Sequence, residues 1–94
     1  MEVTEPAYTI LYSPKALEDI AYFKKTGDVV VMKKITKLLQ EIELHPQAGT
    51  GKVEQLRFEL AGLWSRRINN EHRIVYDIDE KQMVVNVFRL RGHY

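Results

Sequence analysis

Leu63-Trp-Ser-Arg-Arg-Ile-Asn-Asn-Glu-His-Arg-Ile-Val-Tyr-Asp-Ile-Asp79 decides the fold. Two alternating runs, Leu63–Ile68 and His72–Asp79, flank Asn69-Asn70-Glu71, which predicts an antiparallel hairpin. If those three residues form the loop, with Asn70 left-handed, Ile68 faces His72 and Arg67 faces Arg73. Ile68, Ile74, Tyr76 and Ile78 then share one face, and Ser65, Arg67, Arg73, Val75 and Asp77 share the other. A two-residue loop would pair Ile68 with Arg73 and mix the faces, which a half-buried sheet disfavours. By the same parity Trp64 packs with Ile68, Arg66 turns away from Arg67 and is structural, and His72 lies beside the packed layer as a hydrogen-bonded structural histidine. Arg67 and Arg73, directly opposite each other, repel, so the register calls for an anion between them.

The flanking segments complete the architecture. Tyr8-Thr-Ile-Leu-Tyr12 alternates and reads as a first strand. Ser13-Pro14 supplies an N-cap with proline at the first helical position, and Gly27 and Asp28 end one helix and cap the next. In the first helix Leu17, Ile20, Ala21 and the stem of Lys24 make the expected apolar stripe. In the second, from about Val29 to Leu44, Val31, Ile35, Leu38 and Ile42 do so, widened by Met32 and Leu39, and His45-Pro46 stops it. Lys33, Lys34 and Lys37 are expected on a solvated face. After the loop Gln47–Lys52, the runs Leu56–Leu60, Leu63–Ile68, His72–Asp79 and Met83–Leu90 predict a four-stranded antiparallel meander, with turns at Ala61-Gly62, Asn69-Asn70 and Glu80-Lys81. The order β-α-α-β-β-β-β, with helices on one sheet face, is an α+β fold in one domain spanning residues 1–94. Residues 1–6 are expected to be a flexible extension.

Composition narrows the chemistry. The 94 residues include no cysteine, which excludes disulfides and thiolate metal sites. The three histidines show no metal-ligand spacing, so neither metal nor cofactor is expected. The acidic amino terminus is no signal peptide, and no apolar run approaches a membrane span; a soluble cytoplasmic protein is the default. Net charge is only +1, yet all six arginines (57, 66, 67, 73, 89 and 91) lie in the last 38 residues, while lysine is spread over the chain. A forked, permanently charged guanidinium suits phosphate oxygens better than ammonium does. Beside these arginines stand Glu54 and a terminal His93-Tyr94, so the carboxy-terminal half reads as an RNA-cleaving face.

The runs Gly49-Thr-Gly-Lys-Val-Glu-Gln-Leu56, Leu60-Ala-Gly-Leu-Trp-Ser-Arg-Arg-Ile68, Glu71-His-Arg-Ile-Val-Tyr76 and Gly92-His-Tyr94 resemble the YoeB/Txe toxins of the RelE superfamily. The likeness is close over residues 45–94. It implies a RelE-like fold and a ribosome-dependent endoribonuclease, an mRNA interferase that cuts mRNA in the ribosomal A site and is restrained by a cognate antitoxin. Carried over residue by residue, it makes Glu54 the general base, Arg67 and Arg73 the phosphate-stabilising pair, His93 the general acid and Tyr94 an orienting or stacking group. Lys52, Arg57 and Arg91 complete the candidate set as phosphate contacts; Arg57 stands where the family commonly has lysine. The stretch Arg89-Leu-Arg-Gly92 is longer and more basic than the family's usual terminus.

These groups suit metal-free cleavage. RNA carries its own nucleophile, so a carboxylate can take the 2′-proton, an imidazolium can protonate the 5′-oxygen, and cations can neutralise the phosphorane oxygens. The expected products are a 2′,3′-cyclic phosphate and a 5′-hydroxyl. A competing reading is a catalytically silent module of the same fold, acting as an antitoxin-dependent co-repressor or on another target. A plain single-strand RNA binder is more remote, because it calls for more exposed aromatics. Expected partners are the ribosome with mRNA and an antitoxin with an acidic, disordered tail; a homodimer stays open, and no membrane is implied.

Overall fold

A computed structural model describes residues 7–92; the expected extension over residues 1–6, and His93 and Tyr94, lie outside the described residues. The described elements are β1 (Thr9–Tyr12), α1 (Pro14–Thr26), α2 (Val29–Leu44), β2 (Glu54–Gln55), β3 (Trp64–Arg67), β4 (Arg73–Asp79) and β5 (Val84–Arg89). They build one sheet in the order β1-β5-β4-β3-β2. β2 through β5 form the antiparallel meander, and β1 joins parallel to β5. This is the α+β architecture the sequence predicts.

Capping follows the sequence signals. The Ser13 hydroxyl accepts the Ala16 N–H at 3.0 Å and donates to the Phe88 carbonyl at 2.7 Å, so one side chain starts α1 and ties it to β5. Gly27, at φ +68°, closes α1, and Asp28 caps α2 through the Val31 N–H at 3.1 Å. Val31, Ile35, Leu38 and Ile42 of α2 are buried against Ile68, Ile74, Tyr76, Val85 and Val87. Trp64 packs on this core, as its parity requires.

Three expectations need correction. The buried face of α1 is Ala16, Asp19 and Phe23 flanked by Ile20, whereas Leu17 is 56% exposed. The stripe turns because a fully buried carboxylate sits inside it, and apolar periodicity does not count an aspartate. Leu56–Leu60 is not a strand. The pairing lies two residues earlier, at Glu54–Gln55, and successive short-range bonds (Leu60 N–H to the Arg57 carbonyl, Ala61 N–H to that of Phe58) coil Phe58–Leu60 into a 3-10 turn. The Asn69–Glu71 loop needs no left-handed Asn70. The Asn69 carboxamide oxygen instead accepts the N–H groups of Glu71 at 2.8 Å and His72 at 2.9 Å, an Asx turn that makes the reversal.

The α2–β2 loop is stapled from beneath by Arg66, whose side chain is fully buried. Its guanidinium donates to the carbonyls of His45 (2.5 Å) and Ala48 (2.6 Å) and to the Tyr76 hydroxyl (3.2 Å), and it lies 3.7 Å from Glu41. Tyr76 in turn donates to the Pro46 carbonyl at 2.6 Å. Glu41 accepts from the Thr50 N–H at 2.9 Å and from its hydroxyl. Gly49, at φ +126°, passes this knot so closely that a Cβ would stand 2.6 Å from Glu41 Oε1. The loop ahead of Glu54 is thereby fixed.

Candidate active site

β3 and β4 pair with Arg67 opposite Arg73 and Ser65 opposite Val75, the register expected from the sequence. Because Arg66 and Ile74 point into the helical side, the guanidiniums of Arg67 and Arg73 belong to the face away from the helices. β2 brings Glu54 opposite Ser65, hence onto the same face. Arg73 Nη1 donates to the Ser65 hydroxyl at 3.1 Å and lies 3.8 Å from Glu54 Oε2. Glu54 is thus an anion beside Arg73, on the face where the register calls for one. At 3.8 Å the contact is an ion pair beyond hydrogen-bond length.

The environments of the three groups differ in a useful way. The Arg73 side chain is only 11% exposed, so its charge is weakly screened, while Glu54 is 47% exposed and reachable from solvent. Arg67 is half-buried: its N–H donates to the Gly51 carbonyl at 2.5 Å, and the loop that supplies this bond flanks it. Among the described residues no carboxylate pairs with Arg67. A phosphate between Arg67 and Arg73 would meet two cations and one carboxylate, with a charge-assisted donor on each side.

The chain belongs to the YoeB-like toxin family. The family model, described as the YoeB-like toxin of bacterial type II toxin–antitoxin systems, matches residues 12–94. The toxin YoeB of Mycobacterium bovis is 38% identical over 86 residues, covering 92% of this chain and 98% of the relative. A YoeB/ParE toxin from Agrobacterium tumefaciens superimposes with a TM-score of 0.86 at 34% identity, covering 92% of this chain and 99% of that one. A YoeB solved in a heterotetrameric YoeB–YefM toxin–antitoxin complex from Staphylococcus aureus gives 0.80 at 40% identity, covering 93% and 98%.

In this YoeB-family toxin the remaining candidates are placed unevenly. Arg57 is exposed and, with Glu54, Gln55 and Leu56, lines a surface hollow of about 590 Å³. Beside it Phe58, at φ +58°, is 92% exposed. Lys52 is exposed at the loop approaching Glu54, with φ +48°. Arg91 does not join the cluster: its guanidinium lies over the Tyr22 ring of α1, 3.6 Å from the centroid. Asp77, on the same sheet face as Arg73, accepts from the Asn86 amide at 2.9 Å. His93 and Tyr94 lie outside the described residues. Sequence reasoning missed Asp19, and the only signal was an acid three residues after Ala16 and four before Phe23, on the apolar side of α1.

Proposed function

We propose that this YoeB-family toxin is a ribosome-dependent endoribonuclease that inhibits translation by cutting mRNA in the A site. The observation that carries the reading is Glu54 set 3.8 Å from Arg73, on a face that also presents Arg67. Glu54 takes the proton of the 2′-hydroxyl as that oxygen attacks phosphorus. The bond from phosphorus to the 5′-oxygen breaks, and His93 gives the leaving oxygen its proton. Arg67 and Arg73 neutralise the charge that builds on the non-bridging oxygens. Tyr94 orients the substrate, and Lys52 and Arg57 hold flanking phosphates. Each proton-transfer partner is worth about 10²–10⁴ in rate. No step calls for a metal.

The same cationic face suits an acidic antitoxin segment that folds as it binds; the staphylococcal relative solved with YefM supports a partner of this kind. The cytoplasm, where mRNA is translated, is the compartment this function needs. Primer extension on an mRNA during translation tests the reading. Added protein should produce new 5′ ends within A-site codons, with 5′-hydroxyl and 2′,3′-cyclic phosphate termini and no cutting of the naked message. Termini carrying a 5′-phosphate, or no new ends at all, would overturn it.

A further inference from the structure

We propose that Asp19 and His72 are positioning residues that hold the carboxy-terminal segment in register beside the Glu54–Arg67–Arg73 cluster. The proposal deepens the reading above and rests on it.

Three consecutive main-chain N–H groups after β5 are claimed by two side chains, one on α1 and one just ahead of β4. Asp19 Oδ2 accepts those of Leu90 (3.0 Å) and Arg91 (3.2 Å), and His72 Nδ1 accepts that of Gly92 (2.8 Å). The Arg73 N–H also donates to the Gly92 carbonyl at 3.3 Å, so the segment is bonded to the very residue that contributes a site guanidinium. A segment that has left its last strand is ordinarily loose unless tied down, and this one is tied at every residue from Leu90 to Gly92.

The sequence bears costs for this arrangement that packing alone does not explain. Asp19 is fully buried on the core side of α1, where an apolar side chain would sit without desolvating a charge. Its other oxygen lies 2.9 Å from the Lys15 ammonium, one turn earlier, an ion pair without an aligned hydrogen bond. His72 accepts at Nδ1, which assigns its proton to Nε2, and that nitrogen faces Glu71 at 3.8 Å. Its ring rests edge-on against Phe23, with centroids 5.1 Å apart, so it has one orientation. Arg91 lies on Tyr22, and Arg89 donates to the Arg91 carbonyl at 2.7 Å. Gly92, at φ +85°, clears Arg89 where a Cβ would stand 2.9 Å from its Nη2.

An anchored Gly92 fixes the point from which His93 and Tyr94 start, and misplacing a catalytic group by about 1 Å costs about 10²-fold in rate. Neither Asp19 nor His72 acts on the substrate; each acts through the segment it holds.

The test compares full-length variants that keep or lose the acceptor: His72→Asn and His72→Leu, Asp19→Asn and Asp19→Leu. Amide hydrogen exchange is followed at residues 88–94 and in the core, together with the rate and half-saturation of cleavage of a translated mRNA. The leucine variants should speed exchange at the tail at least about tenfold with core exchange unchanged, and lower kcat about 10²-fold with KM within about twofold. The asparagine variants should restore both. Should one leucine variant fail to fold, the other site's pair decides. Unchanged tail exchange, or a loosened tail with full kcat, would overturn the positioning role while leaving the nuclease intact. A wild-type protein that does not cleave sinks the nuclease reading first and this role with it.

Discussion

Two neighbouring arginines in β3 show how one peptide step divides structure from chemistry. Arg66 is fully buried and satisfies backbone carbonyls of the α2–β2 loop, whereas Arg67 faces Arg73 across the sheet's other side. Arg66→Ala should cost about 3 kcal/mol or more, because it strands carbonyl acceptors of the α2–β2 loop and leaves a hole in the core; urea denaturation measures this. Arg67→Ala should leave the denaturation midpoint nearly unchanged and lower cleavage about 10²–10³-fold. Glu54→Gln keeps the shape of the side chain without a base, so the rate should fall about 10²–10⁴-fold while mRNA-bound ribosomes still recruit the protein. The faces of these residues were legible because strand parity is strict and Ile68, Ile74, Tyr76 and Ile78 mark one face as the packed one. Asp19 was not legible: a buried acid is unfavourable until its partners are known, and those partners are main-chain amides about seventy residues away.

Among the elements, the α2–β2 loop carries a pH dependence of both signs. Hydrogen bonds from the Thr50 hydroxyl and N–H, with Arg66 nearby, hold the Glu41 carboxyl below its ordinary value of 4.5. A lowered native value means that this stabilisation is complete above about pH 4.5 and is lost as pH falls below it. Burial raises the Tyr76 hydroxyl above its ordinary 10.0, despite the opposing bond from Arg66, so the unfolded chain ionises first and stability falls above about pH 10. Urea midpoints measured from pH 3 to 11 should show a plateau with two shoulders, and Glu41→Gln should flatten the acid one. Gly49→Ala should destabilise the loop at all pH values, since a Cβ there meets Glu41 and φ is positive. Helix boundaries and caps were legible because Ser13, Pro14, Gly27 and Asp28 act on their own neighbours. The Leu56–Leu60 run misled because alternation over five residues does not reveal whether a partner strand is in reach.

At the scale of the molecule, the proposed anchors hold Leu90, Arg91 and Gly92, and among the described residues Leu90 is the last in the core. Deleting His93 and Tyr94 should lower cleavage about 10²–10⁴-fold or more, which primer extension on a translated mRNA can check. The meander was legible from its turns, since sequence neighbours pair with one another. The placement of β1 was not, because nothing in a four-residue strand says which edge it will find.

That placement has a consequence for synthesis. Thr9 pairs with Val84, so the first strand finds its neighbour only after the helices and three further strands have been made. Long-range pairing of this kind is slow and waits on both participants. While β5 is still inside the exit tunnel it is withheld from the sheet, and β1 has no neighbour to join. The sheet closes only once β5 has emerged.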